Sequence, residues 1–409
     1  MNYHDILPST VLHWNYRGFT EFPIEKIRGE ESAITDIYLK ENLISHLPRD
    51  IGLLENLESL YISGNDIVEL PKEISKLRCL KCLDVSGNRL RRIPDEIGDV
   101  RCLKFLILDE NELCELPLRI AELRYLRYLS VCDNKLQWLP QKPVYNYHHC
   151  EFRFWRNTEL THLPYSLWYH MFRDQQTRSL NIGCLNMKNH LNNRKSRGCQ
   201  LLLESIKDLS MNINVPPQHS IVLQSKYYST PSLFELCKRK FYQIISQKSK
   251  ELSNQPFSIY SNIIYDNENN NVRDLQNNFE DFNINNIGNE TNNNLDKRKH
   301  SDEINTNGYM SQFKRRRNYY APSDLIEEYF QYLPKFLKNE FINGPISRCE
   351  NVNCRKPVFD SVYYEICLGK IILIDNTEEV VLSAAFCSKS CADVWKCGKD
   401  TIPWTLSEN

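Results

Sequence analysis

One spacing constrains this chain more than any other: a 23-residue period that runs from Ile34 to Pro140 without insertion or deletion. Ile34, Leu57, Leu80, Leu103 and Leu126 open successive units, Asn42, Asn65, Asn88, Asn111 and Asn134 repeat in step, and Pro48, Pro71, Pro94, Pro117 and Pro140 follow them. Within one unit, Leu57, Leu60 and Ile62 share one side of a short strand while Ser59, Tyr61 and Ser63 alternate to the other. Asn65 falls at the turn, where its side chain can satisfy backbone groups of a neighbouring coil. Ile67 and Leu70 return to the core before Pro71 marks the next bend. No unit can bury its apolar side alone, so the coils must stack, with a parallel sheet on the concave side.

The apolar spacing LxxLxLxxN at a fixed period resembles the leucine-rich repeat family, and the resemblance covers about a third of the chain. It implies an α/β solenoid over residues 1–168. Residues 1–33 read as a degenerate first coil, with Leu12, Trp14, Phe19 and Phe22 in pattern and Arg17 in place of the turn asparagine. Leu160, Leu163 and Pro164 read as a closing coil one residue out of step, covered by a short aromatic helix or turn at 166–172.

The remainder changes character. Residues 169–246 form a mixed segment in which Leu202, Leu203, Ile206 and Leu209 have helical spacing, 219–228 suit a strand or docked arm, and 232–246 an amphipathic helix. Residues 247–320 are rich in Asn, Asp, Glu and Lys and too poor in apolar groups to offset ordering entropy, so a disordered linker is expected. A helical segment, 321–344, carries Leu325, Ile326, Tyr329, Phe330, Leu333, Leu337 and Phe341 and breaks at Pro334. Residues 345–409 read as a small α+β cysteine module.

A net charge of -1 gives no global reason to expect nucleic acid or an anionic membrane as partner. The amino terminus lacks the pattern of a signal peptide, and no run of apolar residues is long enough to span a bilayer. Cys79, Cys82, Cys102, Cys114 and Cys132 are scattered rather than clustered as caps, which favours a reduced, intracellular protein. The cytoplasm is the expected location. Basic clusters at Lys297–Lys299 and Lys314–Arg317 leave the nucleus open, the plainer reading being solvated linker charge.

Three constellations could carry function. On the concave face the outward positions include Asp36, Tyr38, Lys40, Tyr61, Asp84, Phe105, Ile107, Asp109, Glu110, Tyr128 and Asp133. Aromatic anchors flanked by acids on a broad, open surface suit a protein target better than a small molecule; the alternative is a sheet face that is merely solvated. In the cysteine module, Cys349 and Cys354 pair with Cys387 and Cys391 across a strand-rich stretch, as one structural zinc ion requires. No histidine after His300 can complete the set. Cys367 and Cys397 are substitutes, and buried free thiols are the alternative. The run from Phe386 to Trp395 resembles the knuckles of small zinc modules, and 344–349 resembles the start of the cysteine module that ends some intracellular leucine-rich-repeat proteins.

The third constellation starts at Ser232, which can form a capping box with Glu235, after which Leu233, Leu236, Cys237 and Phe241 fall on one helical face. Leu233, Cys237 and Phe241 resemble the elongin-binding box of ubiquitin-ligase substrate receptors. That resemblance implies that Leu233 inserts into elongin C with Cys237 and Phe241 beside it. Leu333, Pro334 and Leu337 resemble the cullin-selecting segment of the same receptors, but lie farther downstream than is usual there. Two ordinary amphipathic helices are the alternative.

Catalytic motifs are absent: there is no G-x-S-x-G, no phosphate-binding loop and no H-E-x-x-H. Cys349 to Arg355 matches C-x5-R but has no glycine to form an anion nest. His148, His149 and Cys150 are adjacent and read as surface residues rather than one metal site. What the resemblance of 231–241 and 333–341 implies is a non-catalytic substrate receptor of an elongin and cullin ubiquitin ligase. A leucine-rich-repeat scaffold in intracellular signalling is the alternative.

Overall fold

The computed structural model describes residues 10–173, 176–177, 200–206, 209–223, 230–254, 319–373 and 377–406. They fall into two compact units, residues 1–246 with 321–409, and residues 247–320.

The first unit contains the expected leucine-rich-repeat solenoid. Seven strands, β1 (Thr10–His13), β2 (Ile34–Tyr38), β3 (Ser59–Tyr61), β4 (Cys82–Asp84), β5 (Phe105–Ile107), β6 (Tyr128–Ser130) and β7 (Glu151–Arg153), form one sheet in chain order. Every neighbouring pair is parallel, and the period is copied into the register, so that Ser59 lies beside Cys82, Cys82 beside Phe105 and Phe105 beside Tyr128. Across the core, 3-10 turns at Arg49–Leu53, Lys72–Lys76, Asp95–Asp99 and Leu118–Glu122 each follow a repeat proline. A proline has no N–H to lose there, and its fixed φ suits the entry to a helical turn. Leu57, Leu60, Ile62 and Ile67 are fully buried, each stabilising by about 2 kcal/mol relative to exposure.

The repeat asparagines hold one coil to the next. The Asn88 Oδ1 accepts the Ile67 N–H at 3.0 Å, and its Nδ2 donates to the carbonyls of Ile62 and Val85, each at 3.0 Å. Asn65, Asn111 and Asn134 repeat the pattern. The residue before each asparagine adopts a left-handed backbone: Gly64 and Gly87 do so without a Cβ penalty, whereas Glu41, Glu110 and Asp133 bear it. Asn157 continues the series, accepting from Leu136 N–H at 3.1 Å, so the extra residue of the last coil falls after the turn and displaces only Leu160, Leu163 and Pro164. At the other end, the N–H groups of Arg17 and Phe19 both donate to Asn42, which stands in for the missing partner.

The last coil does not end in water. Leu163–Pro164 (β8) joins a sheet with Ile221–Leu223 (β12), Ser361–Leu373 (β15) and Thr377–Phe386 (β16), in the order β12-β15-β16-β8. Helix α1 (Tyr165–Met171) follows, with Leu167 buried and the Trp168 indole donating to the Lys370 carbonyl at 2.9 Å. Gln176–Thr177 (β9) pairs with β15. The helical reading of Leu202 to Leu209 is corrected: Gln200–Ile206 (β10) and Leu209–Asn214 (β11) are antiparallel strands, and β10 also pairs with Trp404–Leu406 (β17). Leu201 and Leu203 are buried on one side of β10, a two-residue alternation that the apolar run concealed. Residues 221–223 take the strand alternative. Two short strands, Ser347–Arg348 (β13) and Pro357–Val358 (β14), pair beside the large hairpin. Cys150 is buried, unlike exposed His148 and His149.

Helix α2 (Leu233–Asn254) runs past the expected end at 246. The segment after 320 is helical and interrupted before Pro334, as Pro322–Tyr329 (α3) and Lys335–Asn343 (α4). A final helix, α5 (Lys389–Lys396), is capped by the Ser388 hydroxyl, which accepts the Cys391 N–H at 3.3 Å. Helix α3 is seated on the solenoid through buried Arg119, which contacts Asp99, Glu122 and Ser323, and through Arg101, 3.3 Å from Asp324. In the second unit, the Tyr320 N–H donates to the Ser253 hydroxyl at 2.9 Å. The linker reading of 247–320 and both basic clusters lie almost wholly outside the described residues.

Replacing Asn111 by Leu strands the Leu90 N–H and the Val85 and Leu108 carbonyls in the core. Stability is expected to fall by about 2–3 kcal/mol in urea unfolding, with hydrogen exchange loosened around residues 85–113. Exposed Asn56, bonded to the Ser32 carbonyl, should tolerate Ala within about 0.5 kcal/mol.

Candidate functional site

Among the concave positions named from the sequence, Asp36, Phe105 and Tyr128 share one register row of the sheet, and Tyr38, Tyr61, Asp84 and Ile107 a second; Lys40, Asp109, Glu110 and Asp133 lie beyond the strand ends. His13, Tyr38 and Tyr61 stack across β1 to β3 with ring centroids 4.9 and 4.8 Å apart. Lys40 Nζ lies 5.1 Å from the Tyr61 ring centre and 3.2 Å from Asp84, so its charge is neutralised over an aromatic face. The Tyr61 hydroxyl is pushed up by its hydrogen bond with Cys82 and by burial, and stays protonated at neutral pH. Farther along, the Asp109 carboxylate accepts from the Ser130 hydroxyl at 2.6 Å and the Cys132 N–H at 2.7 Å. Arg153 lies 5.3 Å over Tyr128, and Arg156 pairs with Asp133. Asp36 and Ile107 are half-buried, while Phe105 and Glu110 are exposed. His13, Cys82, Cys132 and Arg153 lie beside them; the period alone could have found Cys82, Cys132 and Arg153, whereas His13 pairs with Tyr38 across a first coil that does not keep the period.

The four predicted cysteines come together. The sulfurs of Cys349, Cys354, Cys387 and Cys391 lie within 4.8 Å of one another, with Cys354 to Cys387 at 3.5 Å and Cys387 to Cys391 at 3.8 Å. Cys349 and Cys354 flank a loop between β13 and β14, Cys387 follows β16, and Cys391 sits in the first turn of α5. Cys367 and Cys397 stand outside the group. Hydrogen bonding from Cys349 pulls the Cys387 thiol down, and the same bond with burial pushes Cys349 up. Four sulfurs at this separation could hold one metal ion.

The start of the helix that carries the third constellation is turned the opposite way from its sequence pattern, while Phe241 and, beyond it, Tyr242 and Ile245 pack inward. Leu233 is 78 % exposed, Phe234 and Leu236 are exposed, and so is Cys237, whereas Glu235, Lys238 and Arg239 are buried. Charged partners explain the inversion. Lys238 Nζ reaches Glu340 at 2.6 Å and Asp360 at 2.5 Å. Arg239 bonds Glu235 at 2.5 Å and donates to the carbonyls of Cys387 and Ser361 at 2.8 and 2.6 Å. The capping box is half formed: the Ser232 hydroxyl accepts the Glu235 N–H at 3.2 Å, but the Glu235 carboxylate accepts from Phe359 and Asp360 instead. Phe241 touches Phe330 and Phe341, with ring centres 5.1 and 4.7 Å away. The two resembling segments thus adjoin, with Pro334 exposed and Leu333 and Leu337 half-buried. No sequence signal marked Glu235, Lys238 and Arg239, because a buried charge and a solvated one read alike in a single chain.

A family model described as "Leucine-rich repeat region" matches residues 36–108. No curated protein matches the chain. Among solved structures, a leucine-rich-repeat protein of Leptospira interrogans is 23 % identical with a TM-score of 0.33; the similarity covers 40 % of this chain and 47 % of that one. The leucine-rich-repeat ectodomain of the receptor kinase SOBIR1 from Arabidopsis thaliana is 26 % identical with a TM-score of 0.28, over 30 % and 70 % of the two chains. This chain therefore spans about half the length of the Leptospira protein. Among the described residues, no helix is long and apolar enough to cross a membrane.

Because thiolates rather than thiols bind metal, protons compete for the cluster. Cobalt(II) added to the metal-free chain is expected to give thiolate charge-transfer absorption with proton release, and its affinity should fall steeply as the pH drops from 7.5 to 5.5. An affinity indifferent to pH, or unchanged in Cys387→Ser with Cys391→Ser, would exclude the cluster as the site.

Proposed function

We propose that the protein is a non-catalytic substrate receptor of an elongin and cullin ubiquitin ligase. The observation that carries this reading is the exposure of Leu233 and Cys237 on a helix whose charged side is buried. Soluble proteins seldom present several large apolar side chains on one turn of helix unless a partner covers them. Leu233 enters a pocket of elongin C, with Cys237 and Phe241 beside it. The neighbouring segment with Leu333, Pro334 and Leu337 selects the cullin. Its contact through Phe241 with Phe330 and Phe341 supports the pairing, despite the long stretch between them.

The target protein is held on the concave face by Tyr38, Tyr61, Phe105, Ile107 and Tyr128, with Asp36, Asp84, Asp109, Glu110, Lys40 and Asp133 setting its orientation. One zinc ion fits the cysteine cluster: at a Zn–S distance near 2.3 Å, tetrahedral sulfurs stand about 3.8 Å apart, close to the 3.5 and 3.8 Å separations present. Cys349, Cys354, Cys387 and Cys391 hold it, and its contribution is structural. In this reading the chain divides into a solenoid at 1–168, a mixed segment at 169–246, a linker at 247–320, a cullin-binding segment at 321–344 and a cysteine module at 345–409. It performs no chemistry itself, needs neither nucleic acid nor membrane, and works in the cytoplasm or the nucleus.

Elongin C is expected to co-purify with the full chain and to be lost, tenfold or more, in Leu233→Ala with Cys237→Ala, while the melting temperature moves little because both side chains are exposed. An intact chain that captures targets through Phe105 and Tyr61 but no elongin C would instead establish a plain leucine-rich-repeat scaffold.

A further inference from the structure

The residue immediately before each strand repeats with the period, and over the middle coils it is basic: Lys81 before β4, Lys104 before β5 and Arg127 before β6. The Lys104 N–H donates to the Lys81 carbonyl and the Arg127 N–H to the Lys104 carbonyl, each at 2.8 Å, so the three stand in one column on consecutive coils. Neighbouring strands lie about 4.8 Å apart, and like charges set side by side repel. The column begins neutral, because Glu58, at this position one coil earlier, pairs with Lys81 at 2.5 Å. No acid follows at that position in the next coils. Among the described residues, no ion pair engages Lys104 or Arg127.

The far ends of the same strands are acidic. Asp84 closes β4 and is answered by Lys40, whereas Asp109 and Glu110, just past β5, join no ion pair among the described residues. Three residues of strand, about 10 Å, separate the two rims. Between them lie Phe105, which is exposed, and Tyr128, whose ring Arg153 overlies at 5.3 Å. Two unpaired cations on adjacent coils add nothing to the core. A ligand that brings carboxylates to them replaces repulsion by attraction.

We propose that the strand-entrance rim of the concave face binds an acidic peptide segment, with carboxylates on Lys104 and Arg127 and an apolar side chain on Phe105 and Tyr128. The inference rests on the concave-face reading above and adds the chemistry of the target. The acidic rim supplies discrimination, since like charge set against like disfavours a wrong partner. A nucleic acid is anionic at every phosphate and meets Asp109 and Glu110 wherever it covers the aromatic row. A peptide escapes that repulsion, because its acids can all face one rim while neutral or basic residues face the other.

The test uses the full chain and a labelled dodecapeptide of Glu and Gly with one central Phe, its binding followed by fluorescence anisotropy. Binding is expected to weaken as salt is raised and to fall at least tenfold in Lys104→Glu with Arg127→Glu. It should stay within twofold in Arg49→Glu with Lys72→Glu, an equal change of net charge on exposed residues of the 3-10 turns. In the unaltered chain, a carbodiimide should join a peptide carboxylate to the Lys104 amine as an amide, itself taking up the water, in preference to Lys72. Equal weakening in both charge variants, coupling spread over the lysines, or no binding to the intact chain overturns the proposal. So does tighter binding of an oligouridylate of the same length. If Phe105→Ala with Tyr128→Ala abolishes binding and rim reversal does not, the rim is wrong and the concave-face reading stands. If rim reversal abolishes binding and loss of both rings does not, the rim stands and the aromatic anchors fall.

Discussion

Each coil of the solenoid lends the one before it a side-chain amide, and the remaining architecture depends on that loan. Where the chain leaves a strand and turns toward the 3-10 segment, it must bury N–H and C=O groups that no helix or sheet ladder can satisfy. Asn65, Asn88 and Asn111 supply both missing partners, accepting from the coil before and donating to carbonyls of that coil and their own. Because the reach of the side chain is fixed, neighbouring strands cannot slip by a residue without breaking three or four bonds at once. The rows of the concave face inherit that register: the stacked rings of Tyr38 and Tyr61 and the ion pair of Lys40 with Asp84 are consequences of it.

A stack of coils has two open ends, and the carboxyl-terminal one is closed by sharing a sheet rather than by a polar cap. Strand β8 continues directly from the last coil and pairs with β16, and Gln141 from the coil before it donates to Glu350 at 2.6 Å. The seam holds a half-open cavity of about 30 Å³ lined by Trp138, His162, His219, Glu350 and Tyr364, room for one or two waters. Burial holds His162 down to about 4 and His219 to about 3, so both rings are neutral at physiological pH. A histidine with a lowered folded pKa leaves the unfolded chain as the better proton acceptor. The seam is therefore fully stable above the ordinary histidine range near pH 6.5 and loses stability as the pH falls below it.

The solenoid was legible because a period leaves the same trace five times over, and even its flaws were informative: the slip at Leu160 records an inserted residue after Asn157. The four cysteines were legible because thiols in close pairs have few other uses. The stretch from Leu202 to Leu209 was misread because Leu202, Leu203 and Ile206 satisfy a helical template by accident, whereas the strands there pair with each other and, through β10, with β17, far downstream in the chain. Nor could local pattern show that β8, β12 and β15 belong to one sheet, since the hydrogen bonds joining them connect stretches hundreds of residues apart in some cases. Charge was the most misleading signal of all. Glu235, Lys238 and Arg239 look like the solvated face of α2, yet they are the face that packs.

That inversion has a physical rationale. An apolar face seated in the unit would hold α2 wherever hydrophobic surface was available, with little demand on angle or register. A buried Glu–Arg pair whose remaining bonds go to four named backbone groups tolerates one position, because any shift leaves a charge unpaired in a low-dielectric setting. Such seats add little net stability, since desolvation offsets most of the attraction, but they specify orientation sharply. The result is a helix aimed by charge from behind, leaving its leucine and cysteine free in front.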